Sequence, residues 1–266
     1  MSAPTSLGTA LITGASTGIG AVYADRLAKR GYDLILVARS EERLSEVAAR
    51  LKSTGRSIET FPADLTKKED VQRVAERLST DAAITALVNN AGIGSAGKLL
   101  DAKIDDLESM IYLNVTALTR LALAALPGFV SRKNGLLINI ASIVALAPEL
   151  LNGTYSGSKA YVVNFTQALK NEVEGKGVTV QAVLPGATAT PFWDRAGLPV
   201  QHLPSEWVMT SEDMVDASLA GLDQHELITI PSLPNIADWE TFEAARKALG
   251  PNLSREKPAA RYGVQG

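Results

Sequence analysis

A tyrosine, a lysine and a serine stand where they could move a proton. Tyr155 and Lys159 lie four residues apart, so a helix would present both side chains on one face. A free phenol has a pKa of about 10 and is a poor base at neutral pH, but a nearby cation favours the phenolate. Ser142 ends an apolar run upstream and could bring a hydroxyl to the same place. These residue types together predict proton exchange with a substrate oxygen.

A glycine-rich turn after the first apolar run is a second candidate site. The turn reads Thr13-Gly14-Ala15-Ser16-Thr17-Gly18-Ile19-Gly20. Its glycines would let the backbone approach a pyrophosphate, and the start of the helix that follows would attract that anion. The spacing differs from the G-x-G-x-x-G of long-chain dehydrogenases, and the turn lacks the lysine of a nucleoside triphosphate loop. It therefore predicts a bound dinucleotide in preference to ATP or GTP.

The residues after the second apolar run bear on which dinucleotide binds. An acidic residue there would accept the 2′-hydroxyl of NAD, whereas an arginine would accept the 2′-phosphate of NADP. Ala38 takes the place of an acid, and Arg39 and Ser40 follow it. Because a guanidinium beside a hydroxyl suits a phosphate, we expect NADP(H) to be favoured over NAD(H). The alternative is that Arg39 is solvated and Ser40 only caps the next helix.

Short apolar runs alternate with helical patterns along most of the chain. The predicted strands are Ala10–Thr13, Leu34–Val37, Ile58–Pro62, Ala86–Asn89, Leu136–Ala141, Val178–Leu184 and Leu227–Ile230. The predicted helices are Ile19–Arg30, Glu41–Thr54, Lys67–Leu78, Ile104–Arg132, Tyr155–Glu174 and Ser211–Leu222. This alternation predicts an α/β fold of the Rossmann type, a doubly wound parallel sheet of about seven strands with helices on both faces. Ligands bind such sheets beyond the carboxyl ends of the strands.

The predicted organisation is a single domain over residues 1–266, since no linker, repeat or charge run divides the chain. Residues 191–210 are rich in proline and aromatic side chains and follow a strand end, which predicts a lid over the substrate. Residues 235–266 form a C-terminal extension. Within it, Ala237–Leu249 has the pattern of an amphipathic helix.

These motifs together resemble the short-chain dehydrogenase/reductase family over nearly the whole chain. The glycine turn resembles the family's TGxxxGxG motif. Two further segments resemble its NNAG and PGxxxT motifs, namely Asn89-Asn90-Ala91-Gly92 and Pro185-Gly186-Ala187-Thr188-Ala189-Thr190. The family's catalytic tetrad corresponds, in order, to Asn114, Ser142, Tyr155 and Lys159.

The resemblance implies a role for each of these residues. Tyr155 would exchange the proton, Ser142 would orient the substrate oxygen, and Lys159 would hold the nicotinamide ribose and lower the pKa of the tyrosine. Asn114, through its backbone or a water, would link Lys159 to bulk solvent as a proton relay, and Asp64 would contact the adenine. The implied cofactor-binding residues are Gly14, Ser16, Thr17, Gly18, Ile19, Gly20, Arg39, Ser40, Asp64, Leu65, Asn90, Ala91, Gly92, Tyr155, Lys159, Pro185, Gly186, Thr188 and Thr190.

Composition argues against several other classes of protein. Hydrophobic residues make up 46% and charged residues 21%, and the net charge of −3 gives no reason to expect a nucleic-acid partner. Without cysteine, and with only two histidines, the chain offers neither a thiolate site nor a histidine-based metal site, and a cytoplasmic location is consistent with this. We expect no signal peptide, and no membrane span, because Pro127 interrupts the most apolar helical stretch, Leu121–Val130.

The sequence thus predicts an NADP(H)-dependent oxidoreductase that moves hydride between nicotinamide and a carbonyl or secondary alcohol. Apolar residues near the predicted lid favour an apolar ketone, aldehyde or ketoacyl compound. The family resemblance further implies a homodimer or homotetramer. Two alternatives remain: a non-catalytic dinucleotide-binding regulator, which would not need Ser142, Tyr155 and Lys159, and an extended-type epimerase or dehydratase. The latter generally needs a larger C-terminal domain than the about 75 residues that follow Thr190.

Overall fold

The computed structural model describes residues 6–264, and within them seven strands form one parallel sheet. The strands are β1 (Thr9–Thr13), β2 (Asp33–Ala38), β3 (Ile58–Pro62), β4 (Ile84–Asn89), β5 (Gly135–Ile140), β6 (Val178–Val183) and β7 (Ile228–Thr229). Their order in the sheet is β3-β2-β1-β4-β5-β6-β7, and each adjacent pair is parallel. The predicted fold class is confirmed, and each predicted strand is present to within about two residues at either end.

Helices connect these strands and cover both faces of the sheet. They are α1 (Gly18–Lys29), α2 (Glu41–Leu51), α3 (Lys68–Thr80), α4 (Ile104–Ile111), α5 (Leu118–Arg132), α6 (Gly153–Val173), α7 (Phe192–Arg195), α8 (Ser211–Asp223) and α9 (Ile236–Ala248). One apolar layer joins α1, α2 and α8 to the sheet, and the other joins α3, α5 and α6. The chain builds outward from β1 to β3 and then returns to place β4 beside β1. That reversal is the point where such sheets bind ligands.

The predicted helix Ile104–Arg132 differs most from the structure. Between α4 and α5 the chain forms a π-helical turn over Tyr112–Ala117. Pro127 does not interrupt α5, contrary to our expectation. Its missing N–H leaves the carbonyl of Leu123 without a helical partner, but Leu123 lies on the exposed side, where water can satisfy that carbonyl.

By length and composition alone, the stretch Ile104–Arg132 could cross a membrane, although we expected no membrane span in this chain. Half of its most apolar window is buried inside the protein. Leu121, Ala125 and Phe129 of α5 pack in the apolar layer that covers one face of the sheet. A core helix of a soluble protein can have the same length and hydropathy as a membrane span. The stretch is therefore weak evidence for a membrane span.

The predicted lid and the C-terminal extension have distinct structures. Residues 191–210 contain the short helix α7 and two 3₁₀ turns, Val200–His202 and Ser205–Trp207. Among the described residues, 6–231 cluster as one compact unit and 232–264 as a second. Within this second unit α9 is present as predicted, and its Trp239 and Phe242 rings stack 5.4 Å apart. No residue of α9 is buried. That residues 1–266 form a single domain stays a prediction.

Candidate active site

The predicted functional residues follow the carboxyl ends of five adjacent strands. The glycine turn follows β1, Arg39 and Ser40 follow β2, the NNAG segment closes β4, Ser142 follows β5, and the PGxxxT segment follows β6. In a parallel sheet these ends share one edge, so the topology gathers residues that are more than 100 positions apart in sequence. The residues after β2 and β3 lie on one side of β1, and the predicted tetrad lies on the other.

The glycine positions of this turn have no room for side chains. A Cβ atom on Gly20 would lie 2.3 Å from the carbonyl oxygen of Gly14, and one on Gly18 would lie 2.8 Å from Cγ2 of Thr190. Gly14 and Gly18 also have positive φ angles, of 67° and 52°, which favour glycine. No side chain caps the start of α1, so its first N–H groups remain available to an anion.

Asn90 and Thr13 hold the glycine turn against the end of β4. The Asn90 side-chain amide donates hydrogen bonds to the carbonyl oxygens of Thr13, at 2.9 Å, and Gly14, at 3.3 Å. The hydroxyl of Thr13 accepts from the backbone N–H groups of Asn90 and Ala91, each at 3.0 Å. The side chain of Asn90 is therefore used in shaping the turn, a role that the motif match did not specify.

The residues predicted to choose between the two dinucleotides lie at the open end of β2. Arg39 is exposed and makes no hydrogen bond or ion pair with any residue in the described range 6–264. Ser40 caps α2 by accepting from the backbone N–H of Arg43 at 3.3 Å. Asp64 accepts from the hydroxyl of Thr66 at 2.7 Å, in the connection from β3 to α3. Ser40 is thus a cap, as the alternative reading held, while Arg39 is available to a ligand.

Tyr155 is in the first turn of α6, buried beside Ser142. The cap of this helix is Asn152, whose side-chain oxygen accepts from the backbone N–H of Thr154 at 2.8 Å. Burial raises the pKa of Tyr155 to about 12, and hydrogen bonding to the Ser142 side chain opposes that rise. The phenol is therefore protonated at neutral pH and able to donate a proton. The Ser142 hydroxyl donates a long hydrogen bond of 3.4 Å to the carbonyl oxygen of Pro185.

Lys159 is buried on the same face of α6. Its ammonium group donates to the carbonyl oxygen of Ile140 at 2.9 Å and lies 5.8 Å from the centre of the Tyr155 ring. Burial lowers the pKa of Lys159 to about 8. A Cβ atom on Gly92 would lie 3.5 Å from Nζ of Lys159. The glycine of the NNAG segment thus lies directly beside this ammonium.

Asn114 lies inside the π-helical turn, and its side chain is fully engaged. Its oxygen accepts from the backbone N–H of Ile93 at 3.0 Å. Its amide donates to the carbonyl oxygen of Ile93, at 2.8 Å, and to the hydroxyl of Ser158, at 3.1 Å. Ser158 in turn donates to the carbonyl oxygen of Tyr155 at 2.7 Å. Asn114 therefore braces the segment after β4 against the start of α6. π-Helical turns within α-helices often occur at functional sites.

The PGxxxT segment connects the tetrad to the glycine turn. Pro185 is buried, and its carbonyl oxygen accepts from the backbone N–H of Ile143 at 3.0 Å. Thr188 is also buried, and its hydroxyl donates to the carbonyl oxygen of Gly186 at 3.2 Å. At the end of the segment, Thr190 packs against Gly18. The structure thus brings the motif that follows β6 onto the start of α1.

The wall around Tyr155 is apolar. Met110, Val144 and Tyr155 form a buried cluster against which further residues pack, namely Ile93, Leu107, Leu151 and Phe192. Trp207, in the segment predicted as a lid, is 65% exposed and does not belong to the cluster. Met110 and Leu107 come from α4, and sequence reasoning missed them because helical periodicity does not reveal what an apolar face packs against.

These residues fit a nicotinamide dinucleotide. The turn offers glycine backbone and uncapped N–H groups for a pyrophosphate, and a buried lysine and tyrosine lie further along the same edge. A family model described as short chain dehydrogenase matches residues 8–198. The chain belongs to the short-chain dehydrogenase family.

Known relatives agree with this assignment. The 17-beta-hydroxysteroid dehydrogenase type 3 of Homo sapiens is 38% identical over 186 residues, which cover 68% of this chain. The match spans only 59% of that relative's length. The chain is also similar to a solved short-chain dehydrogenase from Sphingobium yanoikuyae in complex with NADPH, with 45% identity and a TM-score of 0.92 over 95% of this chain and 98% of that one.

A further solved structure is the bulky-bulky ketone specific alcohol dehydrogenase from Comamonas testosteroni. It is 41% identical, with a TM-score of 0.89 over 97% of this chain and 99% of that one. Family membership makes this chain an NAD(P)-dependent oxidoreductase that acts on the CH–OH group of its substrates.

Proposed function

We propose that the chain is an NADP(H)-dependent oxidoreductase that interconverts apolar ketones and secondary alcohols, with Tyr155 as the general acid and base. The observation that carries the proposal is the meeting of Ser142, Tyr155 and Lys159 in one apolar site at the carboxyl edge of the sheet. A non-catalytic dinucleotide-binding regulator would have no need of these three side chains together, so that alternative is not favoured.

Tyr155 supplies the proton in the direction of reduction. With a pKa raised to about 12 by burial, its phenol is protonated across the neutral range and donates to the carbonyl oxygen as the alcohol forms. In the direction of oxidation the same oxygen takes the proton back. Ser142 lies beside it and can turn its single hydroxyl hydrogen from the Pro185 carbonyl to the substrate oxygen, which holds that oxygen in line with the phenol. When bound, the nicotinamide supplies the hydride chemistry itself.

Lys159 supports both steps as a buried cation. An ammonium near the Tyr155 ring lowers the free energy of the phenolate that forms when the proton leaves, because opposite charges attract strongly in a buried site. Its remaining N–H groups are suited to the hydroxyls of a ribose. The side chain of Asn114 is occupied by Ile93 and Ser158, so a proton relay through Asn114 would run through its main chain.

The same edge of the sheet provides the binding site for the dinucleotide. The glycine turn and the start of α1 would hold the pyrophosphate, and Asp64 and Leu65 after β3 would lie on the adenine side. The unpartnered guanidinium of Arg39 suits the 2′-phosphate of NADP(H), and the Sphingobium relative was solved with NADPH. The PGxxxT segment, with Thr188 and Thr190, would contact the nicotinamide end.

The substrate class follows from the apolar wall. Met110, Val144 and Phe192 offer no charge to a phosphate or a carboxylate, so binding would rest on the burial of hydrocarbon. Two relatives agree with this chemistry, since one is named as a hydroxysteroid dehydrogenase and another as specific for bulky-bulky ketones. A bulky apolar ketone is therefore the substrate class that we favour.

Location and assembly complete the proposal. We place the protein in the cytoplasm as a homodimer or homotetramer. Most apolar residues of α5 and α6 are buried within the single chain, for example Leu121, Ala125 and Val162. Leu123 on α5 and Tyr161 on α6 remain exposed, and these residues support an interface between copies.

A substrate panel tests the proposed function. NADPH or NADH would be mixed with the protein and a series of aryl ketones, aliphatic aldehydes, β-ketoacyl thioesters and phosphorylated ketoses, and loss of the reduced cofactor would be followed by absorbance. We expect turnover of the apolar ketones with NADPH and little or none of the phosphorylated ketoses. Turnover confined to phosphorylated ketoses, or to no carbonyl compound at all, would refute the substrate assignment.

A further inference from the structure

One contact in the substrate wall joins a position without a side chain to an aromatic ring. A Cβ atom on Gly94 would lie 2.4 Å from Cζ of Phe192 and 3.1 and 3.3 Å from the two Cε atoms of that ring. The tip of the ring therefore occupies the space where a side chain at position 94 would stand. Gly94 has an ordinary backbone conformation, so its φ angle does not explain the glycine.

The Phe192 ring also packs against the proposed proton donor. The ring centres of Phe192 and Tyr155 are 5.8 Å apart, with the planes tilted by 41°. Trp193 packs edge-on against Phe192 at 5.7 Å and donates its indole N–H to the carbonyl oxygen of Thr188 at 2.9 Å. Phe192 thus contacts both the segment after β4 and Tyr155, and its neighbour Trp193 is hydrogen-bonded to the PGxxxT segment.

Two hydrogen bonds tie the segment after β4 to α7 and to the cap of α6. The backbone N–H of Ala96 donates to the carbonyl oxygen of Ala196, at the end of α7, at 2.9 Å. The side-chain amide of Asn152, which caps α6, donates to the carbonyl oxygen of Gly97 at 3.1 Å. One short segment is therefore bonded both to the helix that carries Phe192 and to the cap of the helix that carries Tyr155.

From this arrangement we infer that Phe192, seated against Gly94, is the specificity-determining residue that limits the size of the ketone substituent on one side of Tyr155. The inference rests on the proposed function, since it concerns the same apolar site. The ring fills the space beside Gly94 and also contacts Tyr155, so Gly94 and Phe192 form one wall of the site. Enlarging position 94 pushes the ring toward the substrate, and removing the ring opens the wall.

The test compares a bulky with a small ketone in variants at both ends of this contact. Benzophenone and acetophenone would serve as the two substrates, and the ratio of their kcat/KM values is the readout. Phe192→Ala is expected to raise the ratio in favour of benzophenone at least about 10-fold, since even methylene-sized changes in apolar pockets give roughly 10- to 200-fold discrimination. Gly94→Ala is expected to lower the ratio, and to have no effect on it in the Phe192→Ala background.

Further variants separate selectivity from loss of structure. Phe192→Leu keeps bulk without a ring and should change the ratio in the same direction as Phe192→Ala but by less. Leu7→Ala truncates an exposed apolar residue before β1, at the edge of the sheet opposite the site, and should leave the ratio unchanged. A purely structural role for Phe192 would lower kcat/KM equally for both ketones, and an unchanged ratio in Phe192→Ala would overturn the inference.

A binding measurement distinguishes failure of the inference from failure of the proposed function. Dissociation constants of the two ketones would be measured by calorimetry with protein saturated with NADP. If the ratio of these constants shifts as predicted while turnover is absent, the inference holds and the proposed reaction is wrong. If neither ketone binds to any variant, both are wrong.

Discussion

Replacement of Lys159 by methionine is expected to stabilise the protein while it removes activity. Burial lowers the pKa of this lysine from its ordinary 10.5 to about 8. A shift of that size corresponds to about 3 kcal/mol of free energy against keeping the ammonium charged in the folded protein. Because the folded pKa is the lower one, the unfolded chain binds more protons between about pH 8 and 10.5. The free energy of unfolding therefore rises with pH through that range, and below it the full penalty is present.

Lys159→Met keeps the length of the side chain and removes its charge. At about pH 7 the variant avoids the penalty of about 3 kcal/mol and loses one hydrogen bond to Ile140, worth about 2 kcal/mol because its donor is charged. The net gain of about 1 kcal/mol should raise Tm by about 2–4 °C for a chain of this size. At about pH 10 most of the gain should disappear, because the wild-type lysine is then largely neutral in the folded state. Turnover should be severely reduced at both pH values.

Scanning calorimetry at the two pH values measures this effect directly. Lys170→Met is the matched control, since Lys170 lies on the same helix in an exposed ion pair with Glu174. Its effect should stay within about 0.5 kcal/mol at either pH. A lower Tm for Lys159→Met than for wild type at about pH 7, or an equal gain at both pH values, would refute the assignment of Lys159 as a buried cation kept at the expense of stability.

Three further predictions concern cofactor choice, assembly and pH. Arg39→Ala should weaken NADPH binding by about 1.5–3 kcal/mol, or roughly 10- to 150-fold, and leave NADH binding unchanged; Ala38→Asp added to it should weaken NADPH further. Fluorescence titration checks this, and an unchanged NADPH-to-NADH ratio would contradict the role of Arg39. Light scattering at micromolar concentration should give the mass of a dimer or tetramer, and a monomeric mass would contradict the proposed interface. For reduction, kcat/KM for NADPH should fall above about pH 8 as Lys159 loses its proton, and a profile flat to about pH 10 would contradict its role.

The strands and their parallel arrangement in a doubly wound sheet were predicted from sequence because a buried parallel sheet requires apolar runs separated by crossovers. The glycine turn, Ser142 and the tyrosine–lysine pair were found for a similar reason. Each lies at a strand end or in a helix start where the chain leaves little choice of position, and sheet topology then brings them together. The family resemblance supplied the roles, and the structure supplied the contacts that make those roles physically reasonable.

Other features depend on packing that local sequence does not encode. Asn114 lies in a π-helical turn, but the segment Ile104–Arg132 has the periodicity of an uninterrupted α-helix. The engagement of the Asn90 side chain with the glycine turn joins positions 76 and 77 residues apart. Gly94 reads as an ordinary loop glycine until the ring of Phe192 is seen against it. The pKa values of Tyr155 and Lys159 depend on burial, which a motif cannot report.

The most direct test of the central claim is the turnover of Tyr155→Phe with NADPH and an apolar ketone. The variant keeps the ring that packs against Phe192 and removes the hydroxyl that would transfer the proton. We predict that kcat falls by roughly 10²- to 10⁴-fold while the dissociation constant for NADPH changes little. Turnover close to wild type would contradict the proposal that Tyr155 is the general acid and base.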